Sequence, residues 1–157
     1  MKRLFATLAL ASLTTCGPPL SQLVIRMDGN SEFVAGPGRI SGFQLSLSIV
    51  GRPDARTTRE FRVTPNGAPI LPGEIGVVLD PWFEGATLEA EFALLTDETA
   101  LPSRQYYRAA FVRSEVRTFR VFIDAQCLTS SVACDAESTC ERSRCVPRLR
   151  DTTPLRR

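Results

Sequence analysis

The chain contains no histidine. That absence removes serine–histidine and cysteine–histidine nucleophile pairs, histidine metal sites and imidazole proton shuttles, each of which needs a group titrating near neutrality. Lysine is nearly as scarce. Of 19 basic residues, Lys2 and Arg3 stand at the amino terminus, and the other 17, all arginine, balance 17 acidic residues. With no excess of one sign, nothing draws the chain to nucleic acid. Cysteine is missing between Cys16 and Cys127, so the body lacks the inter-sheet disulfide of antibody domains. Long apolar runs are missing too: LFATLALASL, Leu4 to Leu13, would cover about 15 Å as a helix, half the hydrocarbon core of a bilayer.

What is present starts with a secretory layout. Lys2 and Arg3 give a positive start, the apolar run follows, and small residues precede Cys16. Leu13-Thr14-Thr15-Cys16 resembles the bacterial lipobox, with Thr15 standing where glycine, alanine or serine is usual. The resemblance implies a signal peptide over residues 1–15, diacylglycerol on the Cys16 thiol, and attachment to a membrane through several acyl chains, enough for durable anchoring. It also implies a cell-envelope location, and Gly17 in place of an aspartate after the cysteine leans towards the outer membrane. The rival is cleavage after Ala9-Leu10-Ala11, which would leave Cys16 as a thiol. Parity favours lipidation: five cysteines in an oxidising compartment leave one unpaired, and consuming Cys16 leaves four. Residues 16–20 then form a lipidated leader, stiffened by Pro18-Pro19.

Over residues 21–125 the dominant period is two, which argues strands. Leu23, Ile25 and Met27 alternate, as do Phe43, Leu45, Leu47 and Ile49. Phe61 and Val63, then Ile75, Val77 and Leu79, give shorter runs. Leu88, Ala90, Phe92 and Leu94 alternate with Glu89 and Glu91; Tyr107, Ala109 and Phe111, then Phe119, Val121 and Ile123, complete the series. Turn groups such as Asp28-Gly29-Asn30, Pro65-Asn66-Gly67 and Leu71-Pro72-Gly73 separate the runs. About seven short strands of this kind predict an all-β fold, an antiparallel β-sandwich of immunoglobulin-like or transthyretin-like type. Its core should hold Phe43, Phe61, Phe92, Phe111 and Phe119.

Cys127, Cys134, Cys140 and Cys145 form a cluster over residues 126–147. Their spacing lacks the close C-x2-C pairs that zinc favours, so a small disulfide-stapled module is expected, with no metal and no cofactor. Four cysteines allow three pairings. Cys127, Val132, Cys134, Thr139-Cys140 and Cys145-Val146 resemble the carboxyl-terminal motif of predicted lipoproteins of the myxobacterial type, and a truncated EGF-like module without its calcium ligands. Small modules of this type interlock first to third and second to fourth, which implies Cys127–Cys140 and Cys134–Cys145. The Pro- and Arg-rich stretch 148–157 has little to bury and is expected to be a disordered tail. Its Arg148, Arg150, Arg156 and Arg157 are few for adhesion to anionic headgroups or polysaccharide.

For function, the sequence points to a lipid-anchored, non-enzymatic envelope protein with a binding or structural role towards an envelope protein or polysaccharide. A carbohydrate- or peptide-binding module is the alternative, with Trp82, Tyr106 and Tyr107 as candidate ligand contacts whose exposure would discriminate the two. A carboxylate-dependent hydrolase is a third reading. It would rest on Asp97-Glu98, on Glu89 with Glu91, or on Asp80 with Glu84, although Glu89 and Glu91 share one strand face that solvation alone explains.

Overall fold

The computed structural model describes residues 21–30, 39–63, 71–78, 85–96, 99–129 and 132–155. Cys16, the leader, Trp82, Asp80, Glu84, Asp97 and Glu98 lie outside them. Seven strands form the body: β1 (Gln22–Gly29), β2 (Gly42–Ile49), β3 (Arg52–Arg62), β4 (Gly73–Val78), β5 (Thr87–Leu95), β6 (Gln105–Ala110) and β7 (Val116–Ile123). A short helix α1 (Ala125–Thr129), a hairpin of β8 (Ser138–Glu141) with β9 (Arg144–Pro147), and a two-residue β10 (Thr153–Pro154) follow.

The strands make two four-stranded sheets, β10-β7-β1-β4 and β3-β2-β5-β6. Immunoglobulin domains keep their first two strands side by side, whereas here β1 and β2 belong to different sheets, which leaves the transthyretin-like alternative. The second sheet is antiparallel throughout. In the first, β1 and β7 pair in parallel, a departure from the antiparallel expectation. Each connection reverses the chain, so the first and seventh strands arrive running the same way.

The period-two residues meet between the sheets. Leu23, Ile25, Phe43, Phe92, Leu94, Tyr107 and Ile123 are fully enclosed, with Phe111 and Phe119 nearly so. Phe61 is half-buried and stacks on Phe43, ring centroids 4.8 Å apart, while Tyr107 meets Phe92 edge-on at 5.8 Å. Strand β3 is longer than the Phe61–Val63 run suggests, because its partner β2 holds a stretch whose charged residues hide the alternation. Gly42 sits where a Cβ would lie 2.0 Å from the Phe61 carbonyl oxygen, so only glycine lets β3 approach there.

The disulfides are Cys127–Cys140 and Cys134–Cys145. The module they staple is joined to the sandwich through the buried Asp124 carboxylate. Asp124 caps α1, its Oδ1 accepting from the Gln126 N–H at 3.0 Å, and its Oδ2 accepts from the Ser143 N–H at 3.1 Å. Asn30, at the end of β1, donates to Asp124 Oδ1 and accepts from the Ala125 N–H.

Residues 148–155 pair with both sheets, against the expectation of a disordered tail over 148–157; Arg156 and Arg157 lie outside the described residues. Arg108 donates its N–H to the Arg148 carbonyl at 2.7 Å and accepts from the Arg150 N–H at 2.8 Å, which lays residues 148–150 along β6. The chain then crosses to the other sheet, where β10 pairs with β7 and Leu155 donates to the Val116 carbonyl. Both strands would otherwise end their sheets with unpaired backbone groups, and satisfying those groups fixes a segment that has little apolar surface of its own.

Candidate functional site

Alternation along β5 and β6 turns Glu89, Glu91, Tyr106 and Arg108 outward, and register sets Glu89 beside Arg108 and Glu91 beside Tyr106. Glu89 takes Arg108 Nε at 2.8 Å. Glu91 lies between two guanidinium groups, Arg56 at 2.9 Å and Arg104 at 3.1 Å. The second carboxylate of a hydrolase pair would have to face an opening next to the first. Here each carboxylate oxygen with a partner points at an arginine instead.

Beside this face, between the β6 edge and the disulfide module, lies a cleft of about 310 Å³. Ser103, Arg104 and Tyr106 line it from the sandwich, Val132 and Thr139 from the module, and Arg148 from the tail. Both disulfides contribute to its wall through Cys127, Cys134 and Cys140. The Tyr106 N–H donates to Thr139 Oγ1 at 2.9 Å, which fixes the module against β6. Arg148 spreads over the Tyr106 ring, its Cζ 4.6 Å from the centroid, and its Nε donates to the Ser138 carbonyl at 2.9 Å. The Arg148 Nη groups have no hydrogen-bond partner among the described residues. Burial pushes the Tyr106 phenol above its usual range, and the negative charge of Glu91 adds to the shift. At the rim, a hydrogen bond from the Ser138 hydroxyl holds the Asp135 carboxyl below its usual range.

An aromatic ring, a stacked guanidinium and several hydroxyls around a space of this size suit a small polar ligand; ligand sites start near 300 Å³. Of the candidate contacts, Tyr106 is in the cleft. Tyr107 is not: it is fully buried in the core, its hydroxyl donating to the Phe122 carbonyl at 2.7 Å. Its place as a candidate ligand contact is therefore corrected, because residues in phase with Ala109 face inward. Arg104 had no motif to mark it and is held at the cleft by Glu91 and the Leu101 and Ser103 carbonyls, whereas Arg148 reaches the cleft because the tail docks on β6. Among the described residues no group of three or more His, Cys, Asp or Glu is placed to hold a metal ion, and no helix is long and apolar enough to cross a membrane.

Comparison with protein-family models, curated proteins and solved structures finds no match to this chain.

Proposed function

We propose that the chain is a lipid-anchored protein of the bacterial cell envelope, attached through Cys16, whose sandwich carries a non-enzymatic binding role centred on the Tyr106–Arg148 cleft. The observation that carries this reading is the pair of disulfides that both staple the module and wall the cleft. Disulfides persist in oxidising compartments, so a site built from them belongs outside the cytoplasm, as the lipobox resemblance implies. The leader, residues 16–20, reaches at most about 18 Å from lipid to domain, so the sandwich works close to the bilayer, with the Gly17 lean towards the outer membrane.

The cleft favours a carbohydrate- or peptide-like ligand over a purely structural role, since Tyr106 is partly open and Arg148 offers donors. The hydrolase reading is the weaker one, because Glu89 and Glu91 are each engaged by arginine. Metabolic labelling of cells with a fatty-acid probe tests the anchor: the wild type labels and Cys16→Ser does not. Equal labelling of the two proteins would sink the assignment.

A further inference from the structure

The outer face of the other sheet carries an unfavourable pairing. Strands β1 and β7 run in parallel, and their register sets Arg26 directly beside Arg120. Like charges at directly opposed positions destabilise a sheet. Arg26 is partly compensated by Glu74 across the β1–β4 pair, its Nε 2.8 Å from the carboxylate. Arg120 is exposed and has no hydrogen bond or ion pair among the described residues. A fold needing only a solvated strand would lose nothing with a neutral residue at position 120.

Two depressions adjoin at this pair. One, of about 530 Å³, lies towards β4 and is lined by Arg26, Asp28, Glu74 and Arg120. The other, of about 440 Å³, lies towards the docked tail and is lined by Arg26, Arg120, Arg150, Asp151 and Thr153. Together they form a groove across the sheet, with both arginines in its floor. Among the described residues two buried side-chain nitrogens lack a hydrogen-bond partner, Arg26 Nε and Arg150 Nε, and both belong to residues lining the second depression. The Arg26–Glu74 contact is close but poorly aligned for a hydrogen bond. Arg150 meets Glu141 through its Nη2 and lies over the Tyr107 ring, so Nε is left over. Three carboxylates also face the groove: Glu74 is taken by Arg26, Asp28 accepts the Gly29 N–H, and Asp151 stands at the exposed rim.

We infer that this groove binds a tetrahedral oxyanion, a phosphate or sulfate ester group, held between the guanidinium groups of Arg26 and Arg120. Two adjacent forks offer paired N–H donors, the arrangement that recognises phosphate bidentately. Bound negative charge would also remove the repulsion that the register builds in. The site lies on the sheet opposite the Tyr106 cleft and does not depend on that cleft having a ligand. A phosphorylated or sulfated saccharide and a phospholipid headgroup present the same chemistry.

The thermal midpoint of the full-length, disulfide-bonded chain, measured in sodium phosphate against sodium chloride of equal ionic strength, tests the site. Phosphate should raise the midpoint of the wild type, and Arg120→Gln should need about tenfold more phosphate, or worse, for the same rise. Without phosphate, Arg120→Gln should be at least as stable as the wild type, since it removes the like-charge pair. An equal phosphate effect on both proteins would reduce it to general salt exclusion and overturn the site. So would a variant less stable than the wild type without phosphate, which would make Arg120 structural. Cosedimentation with phosphatidylglycerol vesicles separates the sources: Arg120-dependent binding assigns the groove to lipid headgroups, and a phosphate effect without vesicle binding assigns it to soluble or saccharide-borne esters.

Discussion

Gln105 donates its side-chain amide to the carbonyl of Cys140, 2.6 Å away, and so ties strand β6 to the disulfide module. The same side chain, wholly enclosed, accepts the Asp124 N–H at 3.0 Å and donates to the Phe122 carbonyl at 3.1 Å. One buried amide thus satisfies the backbone of β7, α1 and β8, and makes the module part of the domain rather than an appendage. Gln105→Leu keeps the volume but strands the Asp124 N–H and the Cys140 carbonyl, at about 1–3 kcal/mol each. The urea midpoint should fall by the equivalent of about 3 kcal/mol with an unchanged slope. A shift below about 1 kcal/mol would mean that Gln105 does not join the two parts.

Deleting residues 148–157 should bare the edges of β6 and β7. The expected outcome is a lower thermal midpoint together with concentration-dependent self-association, read by light scattering, because unpaired edges template pairing between chains. A truncated chain that stays monomeric at wild-type stability would show that the docked tail is dispensable.

The two disulfides differ in access. Cys127 and Cys140 retain 5% and 6% of their surface, whereas Cys145 is exposed. Reductant should therefore open Cys134–Cys145 first, since exchange requires the attacking thiolate to reach sulfur. Alkylation at graded times followed by peptide mass mapping reads the order. Early labelling of Cys127 would contradict the packing described.

Strand existence was legible from period two, down to the outward Glu89 and Glu91. The same alternation already put Tyr107 in phase with Ala109 and Phe111, so its burial could have been read. Other features are not local. The β8–β9 hairpin turns through Arg142 and Ser143, both left-handed at φ 50° and 61°, where Asn-Gly is the usual signal. Contacts elsewhere hold it: Arg142 lies over the Phe122 ring, and Ser143 binds Asp124 and Gln126. The order of residues 148–155 comes from sheet edges distant in sequence, and the cleft gathers residues from three separate stretches.

Alkaline pH should expose the burial of both tyrosines, the only two in the chain. Burial raises the phenols of Tyr106 and Tyr107, most strongly Tyr107, with Glu141 adding to its shift. The unfolded chain loses these protons near pH 10 while the native one holds them, so it binds fewer protons and stability falls as pH rises. The stabilisation is complete below about pH 10 and is lost above it as pH climbs towards the native values. Phenolate absorbance should develop at higher pH in the folded protein than in the unfolded chain, and Tyr107 should ionise only with unfolding. Two tyrosines titrating normally in the folded state would contradict the core.

Gly42→Ala should cost about 2 kcal/mol or more, since its Cβ would meet backbone of β3 rather than a movable side chain. Chemical denaturation reads the loss, and a neutral effect would mean that β3 can withdraw from β2 without penalty.

The central claim is attachment through Cys16. Mass spectrometry of the amino-terminal peptide of the mature protein, recovered from the membranes of a Gram-negative host, measures it directly. The account predicts a chain beginning at Cys16 that carries a diacylglyceryl thioether. A chain beginning at Ser12 or Met1 with an unmodified Cys16 thiol would contradict it.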